Sequence, residues 1–481
     1  MDIQKIPLII VGAYLLGMLI VGFVVGKLHI KDSKDYLVAG RRMGLFMVAF
    51  SLSANNIGGG STTGLAQKAF GDWGMSAIWY VLAASIAMIP LAYFAPKIRK
   101  TMAVTIPEVV GRRFGKTSSN LTAILSVLSL FCLTSSQIAA SGTVISTLFP
   151  AIHLNAALVF AGLVVIVYTT FGGMMADQIS DLIQFGIILV GLAIATPIII
   201  KGCGGWEAIS AALPGEQLSI TKIGWVPIFG YIFNYFCTFL AGPEMVSRFE
   251  TAKDEKTACK ASLLAAVLMA AMAVFPTLLG LAALAVKDTL PTLAENGSNA
   301  MMAVASVHAP AGIVGLISAA IICATMSSAD SNLLCMSSMV INDLYIGNTG
   351  KKLTEKQIIS YTRLCNVIAA LVAMLIAMLG VSIATMNTFA FGIRCAGPFA
   401  AYGLGLAVPK ATKNSGIVSL FTGTVAFIAW QLYTGGDMTK GFGILPVVFG
   451  CFIGVITFFV VNWIEWKKGV KPAPSAYAEA E

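Results

Sequence analysis

The run Ala324-Thr325-Met326-Ser327-Ser328-Ala329-Asp330-Ser331-Asn332 places three serine hydroxyls and a carboxylate within five residues of an otherwise apolar stretch. Hard oxygen donors of this kind suit a small alkali cation, above all when backbone carbonyls released from helical hydrogen bonding complete the shell. A lone serine in an apolar helix ordinarily bonds its own backbone. Asp330 argues against so bland a reading of the cluster, because an ionisable group deep in an apolar run is costly and marks function. Free carbonyls have an obvious source in Ala54-Asn55-Asn56-Ile57-Gly58-Gly59-Gly60-Ser61-Thr62-Thr63-Gly64, where each glycine weakens a helix by ~1 kcal/mol relative to alanine. A second break is expected at Leu240-Ala241-Gly242-Pro243-Glu244, since proline removes a hydrogen bond and clashes with the preceding turn.

Further ionisable groups lie in or beside apolar runs: Asp177 and Asp181, Glu244, and Arg394. The two aspartates could equally be anions at a helix N-terminus, and Arg394 could be half of a buried ion pair. Glu244 and Arg394 together suit a zwitterion or small amine, one meeting an ammonium and the other a carboxylate through a bidentate pair. They could also pair with each other or with Asp330. The solute-binding candidates are Asn55, Asn56, Ser61, Gly242, Glu244 and Arg394.

The elements that must position these groups follow from composition. Hydrophobic residues are 57% of the 481 and charged residues 11%, against roughly 25% charged in a soluble domain. Such a chain faces lipid. About thirteen apolar stretches approach or exceed the ~20 residues that cross a bilayer: 6–28, 44–70, 74–96, 119–148, 155–172, 179–201, 224–247, 258–286, 309–341, 358–380, 384–409, 413–434 and 441–463. The first is too long for a cleaved signal peptide and lacks a small-residue cleavage pattern. Of the 31 Lys and Arg, alternate connections on one side hold 24, Arg248 among them, and the other side holds 5; Lys68 and Arg394 fall within stretches. The positive-inside rule then puts the N-terminus outside and the C-terminus in the cytoplasm. Basicity therefore reports topology, and no nucleic-acid partner is expected. The nine cysteines are scattered singly, as reduced, packed thiols would be. Nothing suggests a prosthetic group. A single transmembrane domain is expected over 1–471 with a disordered cytoplasmic tail at 472–481.

The two breaks stand five stretches apart. That spacing predicts two five-helix repeats, about 44–201 and 224–409, inserted with opposite orientation and each opening on a discontinuous helix. Broken helices at matching places in inverted halves point to the solute site of a secondary transporter.

Here the chain resembles the sodium:solute symporter family, whose members share a LeuT-type core of two inverted five-helix repeats with flanking helices. The resemblance covers roughly residues 5–465. It is carried by Ser53–Gly64, by Gly172-Gly173 followed by Ser180-Asp181-Leu182-Ile183-Gln184, by Arg248, and by Met326-Ser327-Ser328-Ala329-Asp330-Ser331. It implies a sodium site made by the carbonyls of Ala54, Ile57 and Ala324 with the hydroxyls of Ser327 and Ser328. Some members hold a second sodium, which here would involve Asp181, Asp330 and Ser331; Asp330 replaces a neutral ligand, leaving sodium, a proton or neither as the second ion. Ser-Ser-Ala-Asp-Ser and the triple glycine look most like the high-affinity choline transporter branch. That branch has a tryptophan where this chain has Asn56 and another where it has Gly242-Pro243-Glu244, whereas Asn56 matches the asparagine that bonds sugar hydroxyls in sodium/galactose members.

The expectation is a sodium-coupled symporter in the cell membrane that imports a small polar organic solute, amino acid or amine-like, by alternating access. Its alternatives are a proton-coupled symporter or a choline/betaine-type quaternary amine transporter. Its partners are the solute, sodium and the lipid bilayer, and a monomer is expected. An enzyme is not: His29, His153 and His308 lie near stretch ends or in connections, far apart in sequence. A channel would not need sodium, and a sensor would ordinarily carry a signalling domain after the last stretch.

Overall fold

The computed structural model describes residues 5–30, 32–148, 152–381, 383–435, 440–441 and 443–477. Among these the fold is all-helical, with one isolated bridge between Met43 and Ala252. The main helices are α1 Lys5–His29, α2 Leu45–Asn56, α3 Thr63–Phe70, α4 Trp79–Lys100, α5 Lys116–Leu148, α6 Leu154–Gly202, α7 Trp225–Leu240, α8 Pro243–Thr251, α9 Glu255–Ala285, α10 Ala311–Ser338, α11 Glu355–Met378, α12 Ile383–Ala396, α13 Lys413–Thr434 and α14 Pro446–Lys467. Nine helical segments among the described residues are long and apolar enough to cross a bilayer, and α7 with α8 forms a further, bent pair. The other expected passes fall on shorter pieces, so the figure of thirteen stays an expectation.

Both expected breaks are present. α2 stops at Asn56, and Ile57 leaves helical geometry at φ −85°, ψ 70°. The glycines that follow are needed for close approach: a Cβ on Gly59 would stand 2.5 Å from the Ala140 Cβ, and one on Gly58 2.8 Å from the Ser328 hydroxyl and the Gln137 Oε1. The freed Gly59 N–H is taken by Gln137 Oε1 at 2.9 Å. At the second break α7 and α8 meet at 58°. Pro243 sits in the first turn of α8, where its missing N–H costs nothing. The bridge ties the two broken units together: the Met43 N–H donates to the Thr251 carbonyl and the Lys253 N–H to the Met43 carbonyl, both at 3.0 Å.

Three boundaries differ from the sequence reading. The expected break between stretches 155–172 and 179–201 is present inside α6 at Gly173 (φ 57°, ψ −174°), where the Tyr36 ring leaves no room for a side chain, and the second helix starts there and not at 179. Residues 174–178 hold no proline or glycine that would delay the second helix. The stretch at 309–341 continues beyond α10 as a π-helix, Met339–Ile346, and on to Thr349. Residues 472–477, expected to be disordered, are docked: the Ala473 N–H donates to the Ala411 carbonyl at 2.7 Å, the Tyr477 hydroxyl to the Leu406 carbonyl at 3.0 Å, and Arg113 to the carbonyls of Pro474, Pro409 and Val408. Those bonds satisfy a backbone that composition alone leaves open. Residues 478–481 of that tail lie outside the described residues.

Small side chains let the helices approach, as lipid-embedded bundles require. α4 and α9 are joined by Ser85 donating to the Ala266 carbonyl at 2.6 Å and Ser262 to the Met88 carbonyl at 2.7 Å. α10, which carries the serine cluster, is buried along most of its length, and among its neighbours are α1, α2, α5 and α6.

Candidate cation and solute site

α10 lays its paired serines against the end of α2. The Ser327 hydroxyl lies 3.0 Å from the Ala54 carbonyl and 3.1 Å from the Ala324 carbonyl, and the Ser328 hydroxyl 2.8 Å from the Asn55 carbonyl and 3.2 Å from the Ala324 carbonyl. All five residues are buried. Of the sequence-proposed ligands, the structure thus joins Ala54, Ala324, Ser327 and Ser328; Ile57 is the residue at which α2 ends. The donor set consists of neutral oxygens only: two hydroxyls, the Ala54 and Asn55 carbonyls at the break, and the Ala324 carbonyl of α10. A small monovalent cation fits that set, since it would replace hydroxyl–carbonyl bonds with ion–dipole contacts to the same atoms.

One turn further along α10 the chemistry changes from neutral to charged. Arg248 of α8 was expected among the cytoplasmic cations after the seventh stretch, but it is 0% exposed. Its Nη2 donates to Asp181 Oδ2 at 2.9 Å, to Asp177 Oδ2 at 3.1 Å and to the Ser331 hydroxyl; its Nε reaches the Ser51 carbonyl at 3.1 Å and its Nη1 the Glu244 carbonyl at 2.8 Å. Ser331 in turn donates to Asp177 Oδ1 at 2.8 Å, and Ser51 to Asp181 Oδ2 at 2.5 Å. Asp330 receives the Ser331 N–H at 2.8 Å on one oxygen and has no partner on the other among the described residues. The candidates for a second cation, Asp181, Asp330 and Ser331, are therefore gathered, and the positive charge that meets Asp181 and Ser331 is a guanidinium. Asp177 and Asp181 are ion-pair partners as well as members of the helix beyond the Gly173 kink. Three buried carboxylates surround one arginine, which stabilises little by itself but makes loss of the arginine costly.

The solute candidates converge on a cavity between the two breaks. It is lined by Asn55, Asn56, Ser61, Glu244 and Arg394, together with Tyr80, Gln137, Tyr235, Phe239, Asn387 and Phe391. Gly242 is not in the wall. A Cβ there would stand 2.7 Å from the Thr238 carbonyl and 3.1 Å from Glu244 Oε1, so this glycine makes room for the pair behind it. Arg394 and Glu244 pair with each other, Nη1 to Oε1 at 2.5 Å, and not with Asp330. Three buried atoms of the wall have no hydrogen-bond partner among the described residues: Glu244 Oε2, Arg394 Nε and Asn55 Oδ1. Buried polar atoms are normally satisfied, so such atoms mark where a ligand or ordered water belongs. The cavity volume is ≈ 50 Å³, a few times the ~10–15 Å³ that one water needs.

Tyr80, Gln137, Tyr235, Phe239, Asn387 and Phe391 escaped the sequence reading. Gln137 could have been suspected, since Thr134-Ser135-Ser136-Gln137 is a polar run inside an apolar stretch. The aromatic groups gave no such signal, because a tyrosine or phenylalanine in a membrane helix faces lipid as readily as a cavity. α7 does supply aromatic faces, from Tyr235 and Phe239, where the sequence showed only its Gly-Pro-Glu break.

Residues 36–423 match the sodium:solute symporter family. The chain belongs to that family. A sodium/proline symporter of Staphylococcus aureus (strain bovine RF122 / ET3-1) is 26% identical over 485 residues, covering 96% of this chain and 93% of its own; that of strain JH9 matches with the same identity and coverage. Among solved structures, a Na+-coupled sialic acid symporter in a substrate-bound outward-open state superposes with a TM-score of 0.80 at 22% identity, over 98% of this chain and 99% of that one. A nucleobase-cation-symport-1 family transporter, closed around bromovinylhydantoin, gives 0.60 at 15% identity over 92% and 96%. These place the fold among LeuT-like transporters. The chain is thus a multi-pass membrane protein of a transporter family and not of an enzyme family. Nothing in these matches supports choline as the solute.

Proposed function

We propose that this family member couples an inward sodium gradient to the import of a small polar organic solute, an amino acid or amine, by alternating access. The observation that carries the reading is the contact of Ser327 and Ser328 with the carbonyls of Ala54, Asn55 and Ala324. A sodium ion bound there, with Ile57 contributing a further carbonyl, would hold the end of α2 against α10. Because Asn55, Asn56 and Ser61 belong to the same break and line the solute cavity, the ion orders the surface that the solute meets. Coupling requires that the ion bind the two access states unequally, and an unwound segment that it orders supplies such a difference.

The cavity wall supports a zwitterion. The unpartnered Glu244 Oε2 would meet an ammonium and the Arg394 guanidinium a carboxylate, each as a charge-assisted bond, while Asn55 and Asn56 offer polar contacts. The relatives named as sodium/proline symporters make L-proline the first solute to try. The charge distribution supports an external N-terminus and a cytoplasmic C-terminus in the cell membrane, and a monomer holds every group the mechanism uses.

Purified protein in proteoliposomes, given a panel of labelled amino acids and amines including L-proline, tests the proposal. Accumulation is expected under an inward sodium gradient and is expected to vanish when potassium replaces sodium at fixed pH. Uptake that persists in potassium and follows a proton gradient would instead establish proton coupling.

A further inference from the structure

Below the cation site, α10 and its π-helical continuation carry a polar stripe toward the end that the charge distribution assigns to the cytoplasm. Ser327, Ser331, Cys335, Ser338 and Asn342 recur at steps of four, four, three and four, which places them on one helix face. Cys335 donates to the Ser247 hydroxyl at 3.4 Å, and Asn342 to the Ser338 hydroxyl at 3.1 Å. Two cavities flank the lower stripe. The upper, ≈ 20 Å³, is lined in part by Thr105, Ser247, Cys335, Ser338 and Met339. The lower, ≈ 520 Å³, lies between the Ile106–Phe114 helix, the start of α5 and residues 342–347.

Thr105 stands between them. It lines the upper cavity, and its hydroxyl donates at 3.0 Å to Oδ1 of Asp343, which lines the lower. Asp343 is 8% exposed, and its Oδ2 has no hydrogen-bond partner among the described residues. The other acid of the lower cavity, Glu108, is held by Arg112 and by the Val104 N–H at 2.8 Å. Lys116 lies exposed at the rim, 3.4 Å from the Asn348 carbonyl. The acid of this cavity with an unpartnered oxygen is therefore Asp343. The π-turn matters here: π-bulges recur at functional sites, and this one brings both Asn342 and Asp343 to the cavity wall.

We propose that Asp343 is a cytoplasmic way-station for the transported cation, its free carboxyl oxygen receiving a monovalent ion after it has left Ser327 and Ser328, with Thr105 holding the carboxyl group in place. The inference rests on the sodium-symport reading and adds a second, weaker cation site to it. Two variants separate charge from structure. Asp343→Asn keeps an acceptor for Thr105 and removes the charge; Thr105→Val removes the bond and keeps the charge. Proteoliposomes containing wild type or either variant are loaded with graded lumenal sodium, and solute-driven entry of radiolabelled sodium is measured with the solute panel above. Asp343→Asn is expected to raise the lumenal sodium that halves entry by at least about threefold, the scale of one screened ion contact, with the external sodium requirement unchanged. Thr105→Val is expected to shift it less. If Asp343→Asn matches wild type, or Thr105→Val reproduces its effect in full, the way-station is overturned while sodium symport stands. Absence of sodium entry with any solute in the wild type would overturn the symport reading and the way-station with it.

Discussion

The serine pair on α10 and the arginine cluster one turn away are both buried, both fed by a hydroxyl-rich helix, and opposite in electrical design. Around Ser327 and Ser328 every donor is neutral, so a cation bound there would meet dipoles that already have partners in one another. Around Arg248 the partners are ionisable: one guanidinium with the carboxyl groups of Asp177 and Asp181 at 3.1 and 2.9 Å. A neutral cage can take and release a unit charge without stranding one. The ionic cluster cannot lose its cation without leaving buried carboxylates uncompensated, a penalty of several kcal/mol. The first arrangement suits a passenger and the second a fixture.

The sharpest way to break this contrast is to remove the fixture. Arg248→Gln is expected to lower stability by about 3–5 kcal/mol, the cost of breaking a buried ion pair, seen as loss of monodisperse protein in size-exclusion chromatography. Adding Asp181→Asn should recover part of it by removing one stranded charge. Recovery of full yield by Arg248→Gln alone would show that the cluster is not a structural fixture. The next largest effect is functional: Ser327→Ala with Ser328→Ala should leave folding intact and raise the external sodium for half-maximal uptake at least about tenfold, near the 1.4 kcal/mol worth of one hydrogen bond to a charged group. Unchanged sodium dependence would remove the cage from the mechanism. The smallest is Ser51→Ala, which takes one donor from Asp181 and alters no charge. It should cost roughly 1 kcal/mol in thermal stability and leave the sodium requirement untouched; a shifted requirement would mean that the two regions share their work.

These contrasts were unequally visible in the sequence. Both helix breaks and the serine pair were legible, because three consecutive glycines and a Gly-Pro step interrupt helices by local chemistry and because hydroxyls beside an acid are conspicuous in apolar surroundings. Arg248 was misplaced into a connection. Ser247-Arg248-Phe249-Glu250-Thr251 is polar enough to read as the cytoplasmic end of a stretch, and only the fold shows Asp177 and Asp181 arriving from α6 to neutralise it. The cavity was half legible for a similar reason. Sequence identifies which residues are polar, but Tyr80, Gln137, Tyr235 and Asn387 come from four separate helices, and their convergence is a property of packing. At Gly173 the expected boundary is present and only its width differs, because the polar Asp177-Gln178 pair reads as a connection although it already belongs to the second helix.

The docking of residues 472–477 bears on how this molecule can be handled. One guanidinium, that of Arg113, clips the Ile106–Phe114 helix to the segment at Val408 and Pro409 and to Pro474. Affinity handles or fluorescent reporters spliced in place of these residues would unfasten that clip. Labels placed away from Arg113, Val408, Pro409 and Pro474 would leave it closed.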